Sequence, residues 1–357
     1  MPAPSLRNFS PNTKGLNFQR HLPMTTVAHI FTMATFLRSL MVCHRLSRLF
    51  LPLLLGITVF APKLAFDSSS EDHSQQSSNL VYRSSVSEVR LVFFATDEHN
   101  RPVEELQKDD FAIVDDERVI REFRSFTRSA SIKLDVIVLM DSSESVLPHF
   151  QQEITNVVQL ISQTPWGPGD RVSVLLFGGM EAHLICAGNC RSSFTADRVV
   201  PSGGATPLLD AVETAATLLS QRWQPDVWPV IILFSDGEDT ISKASFKDVQ
   251  EKILAGGAQI YAVDVSGSGR SSNGNATLQR LAGDSGGRCV WLSEGAARIF
   301  SDVIDDLHSA RVVTYTLPES SSAFHSIRIL PTHNLNLQFR CRRGYYHTAS
   351  VHSEDNP

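Results

Sequence analysis

Three separated segments of the chain end in side chains that carry only oxygen donors. The first is Leu134-Asp-Val-Ile-Val-Leu-Met-Asp-Ser-Ser-Glu-Ser145, which delivers Asp141, Ser143 and Ser145 at alternating positions just after an apolar run. The second is Gly203-Gly-Ala-Thr206, and the third is Phe234-Ser-Asp236-Gly-Glu-Asp-Thr240. Carboxylates mixed with hydroxyls suit a hard divalent cation, because such ions take oxygen ligands and do not require nitrogen or sulfur. Five residues form the candidate metal set: Asp141, Ser143, Ser145, Thr206 and Asp236.

Such a set is useful only if the fold brings the three segments together. Val136 to Met140 is apolar at every position, as in a strand buried on both faces of a parallel sheet. Downstream, the pattern alternates. Helical spacing over 148–163 is followed by strands at 172–177 and 182–186, and a helix over 208–219. Then come a strand at 230–234, a helix at 247–255, a strand at 259–265, a helix at 276–282, a strand at 288–292 and an amphipathic helix at 296–308. This alternation predicts an α/β fold, a Rossmann-like doubly wound and mostly parallel sheet with helices on both faces. Ligands of open α/β sheets bind beyond the carboxyl ends of the strands, which is where Asp141 and Asp236 fall. Both flanks read as β: strands at 86–95, 111–114 and 119–126 in front, and 312–317, 326–330 and 335–342 behind. Neither flank is large enough to fold well alone, so the two are expected to combine into one accessory β-sandwich.

With those residues in that order, the chain resembles the von Willebrand factor A domain, the VWA fold. The metal-ion-dependent adhesion site (MIDAS) of that family is Asp-x-Ser-x-Ser with a distant Thr and a distant Asp. The resemblance covers about residues 131–308, and all five positions are filled. It implies a bound Mg2+, with Mn2+ or Ca2+ as alternatives, and a protein partner whose Asp or Glu carboxylate completes the coordination of the ion. Glu144 stands where the family usually has a small residue, and with Glu238 and Asp239 it adds negative charge. None of these three is expected to coordinate directly. The front module (103–106, Asp109-Asp-Phe111, Asp115-Asp-Glu117, 120–123) and the rear Tyr315 and Arg343-Gly-Tyr345 are similar to the acidobacterial type of VWFA-related protein.

Blander roles compete for each residue. Ser and Asp after a strand commonly cap helices or form turns, Thr206 before Pro207 suits an N-cap, and Asp236-Gly237 suits a turn. The joint pattern outweighs those readings. Gly283-Asp-Ser-Gly-Gly287 spells the nucleophile loop of trypsin-like proteases, but no His-bearing segment of the matching type precedes it. No P-loop, Gly-x-Ser-x-Gly elbow or His-Glu-x-x-His occurs either. The chain therefore reads as a binding module and not as an enzyme, with a scaffold whose ion only stiffens the loops as the alternative. Arg340, Arg342 and Arg343 read as a solvated strand face, and Trp166, Trp223, Trp228 and Trp291 as packing. Asn275-Ala-Thr277 would accept a glycan only in a eukaryote and otherwise reads as a loop.

Of the 32 Lys and Arg, seven lie in residues 1–65, which hold no Asp or Glu; the rest of the chain sets 25 bases against 38 acids. That balance argues against nucleic acid, whose affinity depends on basic side chains. The basic front fits a secretory signal: His44, Arg45 and Arg48, an apolar core over 49–61, and a cleavage site at Val59-Phe-Ala61. Its core is too short to span a bilayer. Met24, Met33 and Met41 are alternative starts. The expected organisation is a leader over 1–65, a Ser-rich linker over 66–83, a β module over 84–130, the α/β domain over 131–308, returning strands over 309–347 and a tail over 348–357. The product is expected to be exported, to a periplasm, cell surface or medium, and bacterial. Export permits disulfides: Cys186 with Cys190 across a tight loop, and Cys289 with Cys341, unless Cys289 is a buried strand residue.

Overall fold

The computed structural model describes residues 88–346 apart from 130–131, 267–272, 293–295 and 319–322. The leader, the linker and the tail expected from sequence lie outside the described residues. Among the described residues, no helix is long and apolar enough to cross a membrane.

Six strands form the central sheet: β5 (Lys133–Asp141), β6 (Arg171–Gly178), β7 (Glu181–Cys186), β8 (Val227–Ser235), β9 (Gln259–Asp264) and β10 (Cys289–Trp291). Their order is β10-β9-β8-β5-β6-β7, all parallel except β7, which runs antiparallel to β6 at the edge. The apolar strands serve two cores by simple alternation. Val136, Val138 and Met140 face one core with Val230, Ile232 and Phe234. Ile137 and Leu139 face the other with Ile231 and Leu233. Helices α1 (Phe150–Gln163) and α6 (Ala296–Ser309) cover the first core through Ile154, Val157, Phe300, Val303 and Leu307. Helices α3 (Leu208–Gln221), α4 (Phe246–Gly256) and α5 (Asn273–Ser285) cover the second through Val212, Ala216, Ile253 and Leu278. A single turn, α2 (Cys190–Ser193), follows β7.

Strands from both flanks build a sandwich of two four-stranded sheets. One is β13-β1-β11-β4 (Gln338–Cys341, Glu88–Thr96, Arg311–Thr316, Ser125–Arg128). The other is β14-β12-β2-β3 (Gly344–Tyr346, Phe324–Pro331, Phe111–Asp115, Arg118–Ile120). Their shared core includes Leu91, Phe93, Phe111, Ile113, Val313, Tyr315 and Ile327. The expected single strand over 119–126 is two strands in different sheets, β3 and β4. The segment Arg121-Glu-Phe-Arg124 carries the chain across the sandwich, and local alternation cannot signal a change of sheet.

Of the cysteine pairs, Cys186 and Cys190 are bonded, with Cα atoms 5.6 Å apart. Cys289 and Cys341 are free. Cys289 packs on the second α/β core and Cys341 on the sandwich core, so each fills a separate apolar site. Burial pushes both thiols up to about 12, far from reactive thiolates. Other expectations fail for similar reasons of tertiary context. Asn275 lies on α5 and not in a loop, 2% exposed, and its amide donates to Asp264 Oδ2 at 2.8 Å. Arg340 and Arg342 are not a solvated face: Arg340 stacks on Phe94 and pairs with Asp306 at 2.5 Å, and Arg342 lies over Tyr345.

Candidate metal site

The carboxyl edge of the sheet brings three loops into one hydrogen-bonded unit. β5 ends at Asp141, whose side chain is fully buried; its Oδ1 accepts from the Ser143 backbone N–H at 2.9 Å. Its Oδ2 accepts from the hydroxyl of Ser235, the last residue of β8, at 2.7 Å. The first loop is tied to the second by Glu144 N–H to Gly204 O (3.0 Å) and Gly203 N–H to Ser142 O (2.8 Å). The second is tied to the third by Thr240 N–H to Thr206 O (2.9 Å) and Thr206 N–H to Thr240 Oγ1 (2.8 Å). All three segments singled out from sequence are therefore joined directly to one another.

Within this edge the five residues differ in exposure. Asp141 and Ser143 are buried, Ser145 is exposed, and Thr206 and Asp236 are nearly buried. The Ser143 and Ser145 hydroxyls lie 3.2 Å apart. Asp236 Oδ1 accepts from Glu238 N–H at 3.0 Å, and among the described residues Oδ2 has no hydrogen bond. Thr206 is not the N-cap of α3; Pro207 occupies that position, and the Thr206 hydroxyl makes no hydrogen bond among the described residues. The turn after Asp236 requires glycine. Gly237 has φ 79°, and a Cβ there would collide with the backbone of Gly274 at the start of α5. Glu144, Glu238 and Asp239 are exposed, and Asp239 accepts from Ser242 Oγ at 2.6 Å.

Sequence reading missed Glu153. It sits in the first turn of α1, 0% exposed, and neither carboxylate oxygen has a hydrogen-bond partner. Burial, reinforced by the charges of Asp141 and Asp236, pushes its carboxyl up to about 9. Asp141 is likewise pushed up to about 6, mainly by burial, with Asp236 adding to the rise against the hydrogen bonds from Ser143 and Ser235. A signal was present: Glu153 stands on the apolar stripe of α1 between Phe150 and Ile154, where a charge has no ordinary reason to be. Ser235 was also missed, hidden between Phe234 and Asp236. Among the described residues, no Lys, Arg or His lies within ion-pair distance of Asp141, Glu153 or Asp236. Three buried or nearly buried acids without a counter-charge are costly. The hydroxyls of Ser143, Ser145 and Thr206 beside them make the donor set fit a divalent cation.

The protease-like Ser285 is placed for a different task. At the end of α5 its hydroxyl donates to Ala282 O at 2.8 Å and accepts from Ile260 N–H at 2.9 Å, tying the helix to β9.

A second acidic group lies in the sandwich. Asp115 Oδ2 accepts from the hydroxyls of Tyr315 and Tyr345, each at 2.8 Å, and Oδ1 is 3.0 Å from His325 Nδ1. Asp115, Asp116 and His325 are close enough together to hold an ion. Nδ1, however, points at the two carboxylates as a donor would, and Asp116 also accepts from Ser326 N–H at 2.8 Å. This group is a hydrogen-bonded link between the two flanks.

Residues 135–303 match the family described as von Willebrand factor type A domain. The matched span leaves both flanking strand groups outside it. Among solved structures, the chain is similar to an aerotolerance-related membrane protein from Bacteroides fragilis. The identity is 18% over 49% of this chain and 98% of that one, with TM-score 0.38. It is also similar to proximal thread matrix protein 1 from the mussel byssus, one structure of which has a zinc-occupied MIDAS motif. That identity is 18% over 54% of this chain and 50% of that one, with TM-score 0.41. A third is the SpRpn10 VWA domain, at 12% identity over 45% of this chain and 87% of that one, with TM-score 0.36. A search of curated proteins finds no match.

Proposed function

Residues 135–303 being a von Willebrand factor type A domain, we propose that the chain is an exported, metal-ion-dependent protein-binding module, used in adhesion or assembly, and not an enzyme. Ser143, Ser145 and Thr206 would hold the ion through neutral oxygens, with Asp141 and Asp236 supplying charge. Mg2+ is the ion that a set with so few direct carboxylates favours, with Mn2+ or Ca2+ as alternatives. When bound, the cation supplies a Lewis-acidic position that a partner's Asp or Glu carboxylate can fill.

One observation carries this reading: three loops distant in sequence are hydrogen-bonded together around buried acids that, among the described residues, no basic side chain compensates. The protein's own part is to hold those oxygens rigid. Ser235 fixes the Asp141 carboxylate, the Thr206–Thr240 pair fixes the second loop against the third, and Gly237 lets the third loop rest on α5.

Affinity capture with the full chain, run with Mg2+ and again with chelator, tests the reading. Partners should be retained with Mg2+, lost with chelator, and lost in Asp141→Ala. If Asp141→Ala lowers thermal stability but captures the same partners, the ion only stiffens the loops and the scaffold reading replaces this one.

A further inference from the structure

We infer that the cleft at the opposite, amino-terminal end of the central sheet binds a small oxyanion-bearing ligand through Arg90 and Arg342. The cleft has a volume of 290 Å³ and opens where the sandwich meets the α/β domain. It is lined by Arg90 of β1, Arg342 beyond β13, Trp223, Trp228, Tyr345 and Gly257. At about 30 Å³ per liquid water, that space accommodates a carboxylate or phosphate group with part of its scaffold.

The argument begins with charge. Arg342 donates through Nη2 to Arg90 O at 3.0 Å and through Nη1 to Leu254 O at 3.5 Å. Arg90 donates through Nη1 to Pro225 O at 2.7 Å and Val227 O at 2.9 Å. These partners are all backbone carbonyls. Among the described residues, neither guanidinium has a carboxylate within ion-pair distance. The acids nearby are already engaged: Glu88, which also lines the cleft, pairs with Arg124 at 3.0 Å, and Asp226 pairs with Lys133 at 2.7 Å.

Each guanidinium also keeps a buried donor with no partner, Arg90 Nη2 and Arg342 Nε. Burial depresses the proton affinity of both; in Arg90 the Asp226 charge works against that fall and the Arg342 charge adds to it. Two like charges held in one cleft, hydrogen-bonded among the described residues only to neutral carbonyls, favour an anion between them. Guanidinium forks match the geometry of carboxylate and phosphate oxygens.

The walls specify the rest of the ligand. Trp223 is 60% exposed at the mouth, and the cleft continues into an open groove of 660 Å³ shared by Trp223, Gly256 and Tyr346. An exposed indole beside a cationic pocket suits a ligand whose anionic end enters while a flat apolar part rests on the ring. The position of Gly257, φ 64°, keeps the wall open, since a Cβ there would press on Arg342 Nη1.

Titrating the full chain with benzoate, phenyl phosphate and phenol, in chelator and followed by tryptophan fluorescence and calorimetry, tests this. Both anions should bind saturably in the millimolar range or tighter, and phenol should not; the tighter of the two identifies the carboxylate or phosphate source. Arg90→Gln and Arg342→Gln should each weaken binding by about tenfold or more, and Arg90→Lys by less. Should Arg342→Gln fail to fold, the Arg90 pair decides. Asp141→Ala should bind the anions like the parent, which separates this site from the metal edge. Binding of phenol equal to benzoate, no saturable binding of either anion, or undiminished binding in Arg90→Gln would overturn the assignment.

Discussion

Two buried acids in this chain meet opposite fates. Asp115, in the sandwich, receives two tyrosine hydroxyls and faces the ring nitrogen of His325, so the protein itself satisfies its carboxylate. Glu153, beside the loops of the α/β domain, receives nothing, and Asp141 and Asp236 nearby raise its proton affinity further. Both acids are essentially inaccessible to water. The difference is therefore not exposure but whether donors were built around them. A saturated carboxylate is a structural link; a set of acids left without donors or counter-charge fits an external cation.

The strongest way to break this contrast is to remove the saturated acid. Asp115→Ala strands two tyrosine hydroxyls and a histidine in the sandwich, and should cost about 3–5 kcal/mol of stability by chemical denaturation. Mg2+ binding by the surviving folded fraction should be unchanged. Loss of metal binding there would mean that the sandwich cluster, not the sheet edge, holds the ion.

Glu153→Gln should act the other way. A carboxyl whose folded value is raised holds its proton more tightly in the folded state than in the unfolded one. Its contribution is intact below the ordinary carboxylate range and is lost as pH rises towards about 9. The metal-free parent should therefore lose stability between pH 5 and pH 9, with Asp141, raised to about 6, adding to the lower part of that window. Glu153→Gln should flatten much of the slope, and at pH 8 should exceed the parent by about 2 kcal/mol or more in melts with chelator. A Gln variant less stable than the parent at that pH would show that Glu153 has a partner.

Thr206→Val preserves shape and removes a hydroxyl that makes no hydrogen bond among the described residues. It should leave stability nearly unchanged and weaken Mg2+ binding by about tenfold, read by calorimetry. Tyr345→Phe, the mildest change, should cost about 1 kcal/mol and leave metal affinity alone.

The contrast also marks what the residues alone disclosed. The strands of the central sheet were legible because burial on both faces leaves unbroken apolar runs, as in Val136–Met140 and Val230–Phe234. The first and third loops were legible because their oxygens follow such runs, and the second because Thr206 sits on a glycine-rich loop at the start of a helix. Glu153 was not, since a single acid on a helical stripe reads as an irregularity until the fold puts it beside other acids. The Asp115 network was not, because Tyr315, His325 and Tyr345 lie some 200 positions further along: the separation from Asp115 to Tyr315 is 200 and to Tyr345 is 230. The single strand assigned over 119–126 failed where the chain changed sheets. In each case the deciding partner is remote in sequence.

The most direct test is a calorimetric Mg2+ titration of the metal-free full chain beside Asp141→Ala. Saturation at one site in the parent, weakened more than about a hundredfold in the variant, is the expected result. Equal binding by the two proteins would contradict the assignment of the cation to this edge.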